Sequence, residues 1–370
     1  MSDVKVPFVD LKQRYHEEKA ELLACVERVL ESGQFILGAD VDELERRVAK
    51  FTGAKHCVAL NSGTDALMLG LWTAGVGRGD EVITTPITFV ATSAAIAHLG
   101  AIPVYVDVDE DQNIDVTKIE QKITPRTKAI MPVHWTGRIA DMGAILDIAQ
   151  RHGLKVVEDS AQSMGAYWHG KHGGTFGIAG AISCHPLKNF NAVGDGGLLL
   201  TGDDGIAEKV RLYRNHGLAR RDYCVEWGIN SRLDALHAAV LLMRLDRLLS
   251  VIERRRRNVE LYRSLVKAPQ CRLPQCKQHE INSFVMFISQ SDDRDRLQAF
   301  LRDRGIESLV YYGTPIHLHP AAAKLGYKRG DFPVAEGQAD RVLALPHHQH
   351  LTGAQIEYVA QSINQFYGAS

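Results

Sequence analysis

Between about residues 40 and 245, short apolar runs alternate with amphipathic stretches. The runs His56–Leu60, Glu81–Thr85, Pro103–Asp107, Lys128–Val133, Lys155–Asp159, Gly180–Cys184 and Gly197–Thr201 read as strands. Between most of them lie patterns such as Met142–His152, whose apolar positions recur at helical spacing. Strands apolar on both faces and separated by helices predict an α/β domain with a largely parallel sheet covered on both sides. Gly75, Gly77 and Gly79 follow a helical pattern, with no strand before them, so they read as turn glycines and not as a dinucleotide fingerprint.

The pattern changes toward the C-terminus. A long charged helix is expected over Ser231–Lys267, linking to shorter elements from about Pro269 onward. Phe284–Ile288 and Glu307–Tyr311 are strand-like, whereas Asp293–Arg304 and a stretch near Thr352–Gln365 are helical. The expected organisation is a large domain over 1–245 and a smaller α+β domain over 246–370, with the N-terminal segment packing on the smaller one.

Composition narrows the classes. The 370 residues are 45% hydrophobic and 24% charged, with a formal net charge of −1. That balance offers no basic field for nucleic acid or an anionic membrane. The run Arg254–Arg257 fits a solvated helix face. Six scattered cysteines form no C-x-x-C pair, and Met1–Asp10 contains no apolar leader segment. A reduced, cytoplasmic protein without nucleic-acid or membrane partners is expected.

In open α/β sheets, ligands bind beyond the carboxyl ends of strands. After the first strand, Asn61-Ser62-Gly63-Thr64-Asp65 opens a helix. Free amides there, with the Ser62 and Thr64 hydroxyls, suit a phosphate dianion; the alternative is an ordinary N-cap. The fifth strand ends in Glu158-Asp159-Ser160-Ala161-Gln162. A carboxylate closing a buried strand needs a partner, and the protonated pyridine nitrogen of pyridoxal phosphate (PLP) is one. Capping of the next turn, or an arginine pair, is the alternative. The sixth strand runs into Ser183-Cys184-His185-Pro186-Leu187-Lys188-Asn189 and then Gly194-Asp195-Gly196-Gly197. A buried lysine becomes a nucleophile for carbonyls; a surface loop lysine is the alternative. Each signal is weak alone, but three strand ends of one sheet together supply a phosphate cup, a pyridinium partner and an amine.

These segments resemble the DegT/DnrJ/EryC1/StrS family of sugar aminotransferases. So do Phe8-Val9-Asp10-Leu11, Gly33-Gln34-Phe35-Ile36-Leu37-Gly38, Arg214-Asn215-His216-Gly217, Gly228-Ile229-Asn230-Ser231-Arg232-Leu233-Asp234, and Tyr311-Tyr312 ahead of His317-Leu318-His319-Pro320. The resemblance implies the type I, aspartate aminotransferase-like PLP fold and a homodimer with shared active sites. It implies that Lys188 forms the Schiff base and shuttles protons, that Asp159 pairs with the pyridine nitrogen, and that Gln162 bonds the phenolic oxygen. Gly63, Thr64 and Ser183 would hold the phosphate, Asn230 would reach it from the other subunit, and Phe89 would stack on the ring. The implied reaction moves an amino group, from L-glutamate, to a keto sugar, with a nucleotide-linked keto-deoxysugar first in expectation.

Two departures bear on the substrate. Cys184 stands where many relatives carry an aromatic residue, which should alter packing and not chemistry. Trp135-Thr136-Gly137-Arg138 replaces a commoner Tyr-Gly or Phe-Gly pattern. Trp135 and Arg138 are therefore expected to meet the substrate, together with His185, Tyr311, Tyr312, His317 and His319. An acidic sugar such as an octulosonic acid is the second choice of acceptor. The same scaffold could also serve a PLP-dependent sugar dehydratase, against which Lys188 argues, or a non-catalytic regulator. His347, His348 and His350, like His317 and His319, lack the carboxylate or cysteine partners of a metal site, and no metal is expected.

Overall fold

A computed structural model describes residues 4–369. Met1, Ser2 and Asp3, which open the segment read for a leader, and Ser370, which closes the expected second domain, lie outside the described residues. Helix α1 (Leu11–Ser32) starts where Asp10 accepts a hydrogen bond from the Gln13 amide, and stops at Gly33, whose φ of 65° suits glycine. Helix α2 (Ala39–Thr52) then leads into the main sheet.

That sheet holds seven strands: β1 (His56–Leu60), β2 (Glu81–Thr84), β3 (Ile102–Tyr105), β4 (Thr127–Ile130), β5 (Lys155–Asp159), β6 (Ala179–Ser183) and β7 (Gly197–Thr201). Their spatial order is β1-β7-β6-β5-β4-β2-β3. All neighbouring pairs run parallel except those of β7, which is antiparallel to both β1 and β6. Helices α3 (Gly63–Thr73), α4 (Val90–His98) and α5 (Met142–His152) cross between strands, and α6 (Asp204–Tyr213) follows β7. Leu67, Leu71, Val157 and Leu199 lie in the core between α3 and the sheet. Leu44, Ile182, Leu198 and Leu241 lie in a separate buried cluster with α2 and α7.

The single helix expected over Ser231–Lys267 is two, α7 (Ala235–Leu245) and α8 (Leu248–Leu265). The chain breaks at Asp246–Arg247 so that Leu248 and Ile252 turn into the core under β1 and β7, while Val259 and Tyr262 enter a C-terminal core. That second core is built on three short antiparallel strands, β8 (Cys271–Arg272), β9 (Ile288–Ser291) and β10 (Val342–Ala344). It is closed by α9 (Arg294–Asp303) and α11 (Gly353–Tyr367), while α10 (Pro333–Ala339) packs nearby. Val6 bridges Ile306 and belongs to the same core.

Two expected strands differ. Phe284–Ile288 is not extended throughout: Phe284 has φ 45°, and the strand begins only at Ile288. Upstream, the Ser283 and Val285 amides donate to the carbonyls of Gly137 and Thr136, so this stretch clips the C-terminal core onto the large sheet. Glu307–Tyr311 forms no ladder, only a bridge from Leu309 to Ala344. Among the described residues, no helix is long and apolar enough to cross a membrane, and all six cysteines are free thiols.

Candidate active site

The carboxyl ends of β1, β5 and β6 surround one cavity of about 360 Å³. Register explains why they meet. Leu60 and Ser183 both pair with Gly197, Ala181 pairs with Asp159, and Asp159 bridges Val133. The antiparallel direction of β7 brings its first residues, not its last, to this edge. A Cβ on Gly197 would strike the Ser62 carbonyl, and one on Gly63 would come within 2.9 Å of the Ser183 Cβ. Glycine at both places lets the start of α3 sit against the end of β6. Ser62 caps α3, its hydroxyl accepting from the Asp65 amide at 3.1 Å. The first helical amides, at Gly63 and Thr64, have no intrahelical acceptor and lie in the cavity wall. Ser183 accepts from the His185 amide at 3.3 Å, which leaves its own O–H free to donate.

Glu158 and Asp159, adjacent on β5, face opposite ways. Glu158 is fully buried and structural: it accepts from the amides of Gly174, Phe176 and Gly177 at 2.6–2.7 Å and meets the His134 ring at 2.8 Å. Asp159 lines the cavity, accepting from the Thr92 hydroxyl at 2.7 Å and the Ala161 amide at 3.2 Å. Burial pushes its carboxyl above the usual range, opposed by those two bonds and by the charge of Lys188. Lys188 lines the same cavity, in the loop between β6 and β7. Burial lowers its ammonium to about 8, and only the Asp159 charge opposes this. Gln162 accepts from the Thr136 amide at 2.7 Å, so its oxygen is committed and its NH₂ remains to donate into the cavity that it lines.

Aromatic side chains form the mouth. Phe89 caps α4, is 53% exposed, and its ring lies 6.3 Å from that of Tyr312. Tyr311 and Tyr312 line the cavity, as does His185. His185 Nδ1 accepts from the Leu187 amide at 3.2 Å, which puts the ring proton on Nε2.

Four expected substrate residues lie elsewhere. Arg138 is buried and pairs with Asp111 and with Glu280, and it also donates to the Gln275 carbonyl. It fastens segment 275–280 to the large sheet and does not line the cavity. Trp135 is 1% exposed, donates to Gln112 at 3.3 Å and backs the Tyr312 ring at 5.7 Å, so it shapes the wall from behind. His317 is buried against Phe332 and bonds Glu336 at 3.0 Å, while the His319 ring bonds the Thr314 carbonyl. Asn230 is exposed and does not line the cavity. Among the described residues, no cluster of His, Cys, Asp or Glu could hold a metal ion.

Sequence reasoning missed Thr88 and Thr92. Thr88 lies in the cavity wall and shares a 2.7 Å hydrogen bond with Thr92, which is fully buried. Two hydroxyls one helical turn apart at the start of an alanine-rich helix were the available signal. Also missed were Arg255 and His347, brought to the cavity from 67 and 159 residues beyond Lys188.

The profile of the DegT/DnrJ/EryC1/StrS aminotransferase family matches residues 16–364. The chain belongs to this family. As an aminotransferase of that family it depends on PLP, and the cavity suits the cofactor: a helix N-terminus, a buried carboxylate and an amine of lowered basicity face one space. A relative called a pleiotropic regulatory protein, from Geobacillus stearothermophilus, is 43% identical, covering 98% of this chain and 99% of its own. The UDP-2-acetamido-2-deoxy-3-oxo-D-glucuronate aminotransferase of Pseudomonas aeruginosa is 39% identical, covering 97% and 99%. The crystal structure of S. venezuelae DesV superposes with a TM-score of 0.96 at 40% identity over 99% of each chain. The aminotransferase therefore has the type I PLP-dependent fold, mixed α/β with a mostly parallel sheet.

Proposed function

We propose that this aminotransferase moves an amino group from L-glutamate to the keto carbon of a nucleotide-linked sugar, in amino-sugar biosynthesis. The observation that carries the reading is the convergence of Lys188, Asp159 and the α3 amides on one cavity whose mouth is aromatic. The bound cofactor supplies an electron sink for the carbon that gains or loses the amine. Lys188 Nζ would hold PLP covalently and, once displaced by the amine of the substrate, would hold and move the proton between cofactor and substrate carbons. Asp159 keeps the ring nitrogen protonated. The Gln162 NH₂ donates to the phenolic oxygen, the Gly63 and Thr64 amides and the Ser183 hydroxyl hold the phosphate, and the Phe89 ring packs on the cofactor face.

A sugar acceptor is favoured over a second amino acid by the lining of the cavity mouth. Arg255 donates to the carbonyls of Phe284, Val285 and His347 and to Gln349, so its guanidinium is engaged by the protein itself. That engagement bears equally on the carboxylate of the glutamate donor, so it does not by itself separate the two kinds of acceptor. The mouth offers Phe89, Tyr311, Tyr312 and His185, which suit a polar ring. A free acidic sugar would need Arg138 at its carboxylate, and the ion pairs of that residue remove this support.

Asn230 serves the partner's cavity in this reading. It is exposed beside Trp227, which is 89% exposed, and Phe35 and Ile36 of the same protomer are also uncovered. Apolar side chains left in water beside a functional residue fit a homodimer interface. The regulatory name of one relative fits a non-catalytic reading less well, because Lys188, Asp159 and Gln162 have no use without cofactor. The test is single-turnover reaction of the pyridoxamine form. Keto sugars on nucleotide carriers should restore the PLP absorbance, and ordinary 2-oxo acids doing so as fast would overturn the sugar assignment.

A further inference from the structure

Asp159 is not alone behind the cavity. Its Oδ2 accepts from the Thr92 hydroxyl at 2.7 Å, and the Thr92 hydroxyl shares a second 2.7 Å bond with that of Thr88. An ionised carboxylate only accepts, so Thr92 must donate to it. The Thr92 oxygen is then left as acceptor, and Thr88 must donate to Thr92. The relay therefore has one direction, from the cavity wall inward to the carboxylate. Thr92 is wholly enclosed and Thr88 nearly so, which shields both bonds from water and lets each polarise the next. Thr88 precedes α4 and Thr92 lies in its first turn, so one element carries both.

We propose that Thr92, supported by Thr88, is a positioning residue that holds Asp159 ionised and aimed at the ring nitrogen of the cofactor. This rests on Asp159 as the pyridinium partner. Without the Thr92 hydroxyl, a carboxylate stripped of water loses one of its two protein donors, and the protonated, neutral form gains. A neutral Asp159 cannot hold the positive charge on the ring nitrogen, so the carbon chemistry slows while donor binding is untouched. Serine keeps the hydroxyl and should keep the function; valine keeps the shape and should lose it.

The experiment compares Thr92→Val, Thr92→Ser, Thr88→Val, Asp159→Asn and the double variant Thr92→Val/Asp159→Asn in the holoenzyme. Readouts are the PLP dissociation constant, the pH dependence of the bound-cofactor spectrum, and the half-reaction kcat and KM with glutamate. For Thr92→Val we expect PLP binding and kcat to weaken by about 10-fold or more, the scale of one hydrogen bond to a charged group. KM for glutamate should stay within about two-fold, and the spectral transition should shift in pH. Thr92→Ser should stay within about three-fold of the parent, and Thr88→Val should fall between. The double variant should be no worse than Asp159→Asn, because both act through one carboxylate. Unchanged PLP affinity and kcat in Thr92→Val, or equal losses in the serine and valine variants, would overturn the relay. A near-normal Asp159→Asn would instead overturn the pyridinium reading on which it rests.

Discussion

Lys188 offers a direct measurement on the apoenzyme. An ammonium does not attack an aldehyde; the neutral amine does. With the group at about 8, roughly one Lys188 in ten is neutral at pH 7, whereas an ordinary lysine at 10.5 has about three in ten thousand. The difference is about 300-fold in reactive amine. Stopped-flow absorbance should therefore show covalent PLP capture that rises with pH and levels off just above 8. Asp159→Asn supplies a sign that is hard to obtain by accident. The Asp159 charge is what raises Lys188, so removing it lowers the ammonium further. The capture plateau should then begin at lower pH, and capture at pH 7 should quicken, even as turnover falls. A rate still climbing past pH 10, or a plateau in Asp159→Asn at higher pH than in the parent, would refute the reasoning.

Three other predictions are simpler. Lys188→Ala should lose the covalent adduct and turnover together, and borohydride reduction of the parent followed by peptide mapping should place the pyridoxyl group on Lys188 and on no other lysine. Arg138→Ala should destabilise the fold by about 3 kcal/mol, because Glu280 loses its buried partner while Asp111 keeps Lys277, as read from denaturant midpoints; the sugar half-reaction of the folded fraction should be nearly unchanged. Sedimentation should show a dimer or a multiple of it, and Asn230→Ala should weaken PLP binding without changing that assembly; a fully active monomer would refute a shared site.

The parts of the fold that were legible are those with a period or a terminus. β1, β5, β7 and α5 have the boundaries expected, since a buried apolar run or a capped amphipathic turn marks each end. The direction of β7 was not legible, because Gly197–Thr201 is equally apolar either way round. The break between α7 and α8 carries no Gly or Pro, and only the need to serve two cores imposes it. Lys188, Asp159 and Gln162 stood out because each lies at or shortly past a strand end, and the structure brings all three to one cavity. Arg138 and His317 were misplaced for the converse reason. Their partners lie 27, 142 and 19 residues away, so nothing local shows that the charge or ring is already engaged.

The reversed strand has a further consequence, for chain connectivity. Because β7 returns beside β6, residues 184–196 form a closed loop whose feet, Ser183 and Gly197, are paired. Cys184 reinforces the closure from both sides, donating to Gly196 and accepting from Ala192, and Phe190 is sunk in the core. Lengthening such a loop costs little in closure entropy, only about 0.6 kcal/mol per doubling. The amine at position 188, however, is placed by the loop's present length and by local bonds such as that of the Lys188 amide to the His185 carbonyl and of Asn189 to the Ser283 carbonyl. Glycine–serine insertions after Leu187 should leave the protein folded while letting the reactive nitrogen wander, so that robustness and catalysis come apart at this one loop.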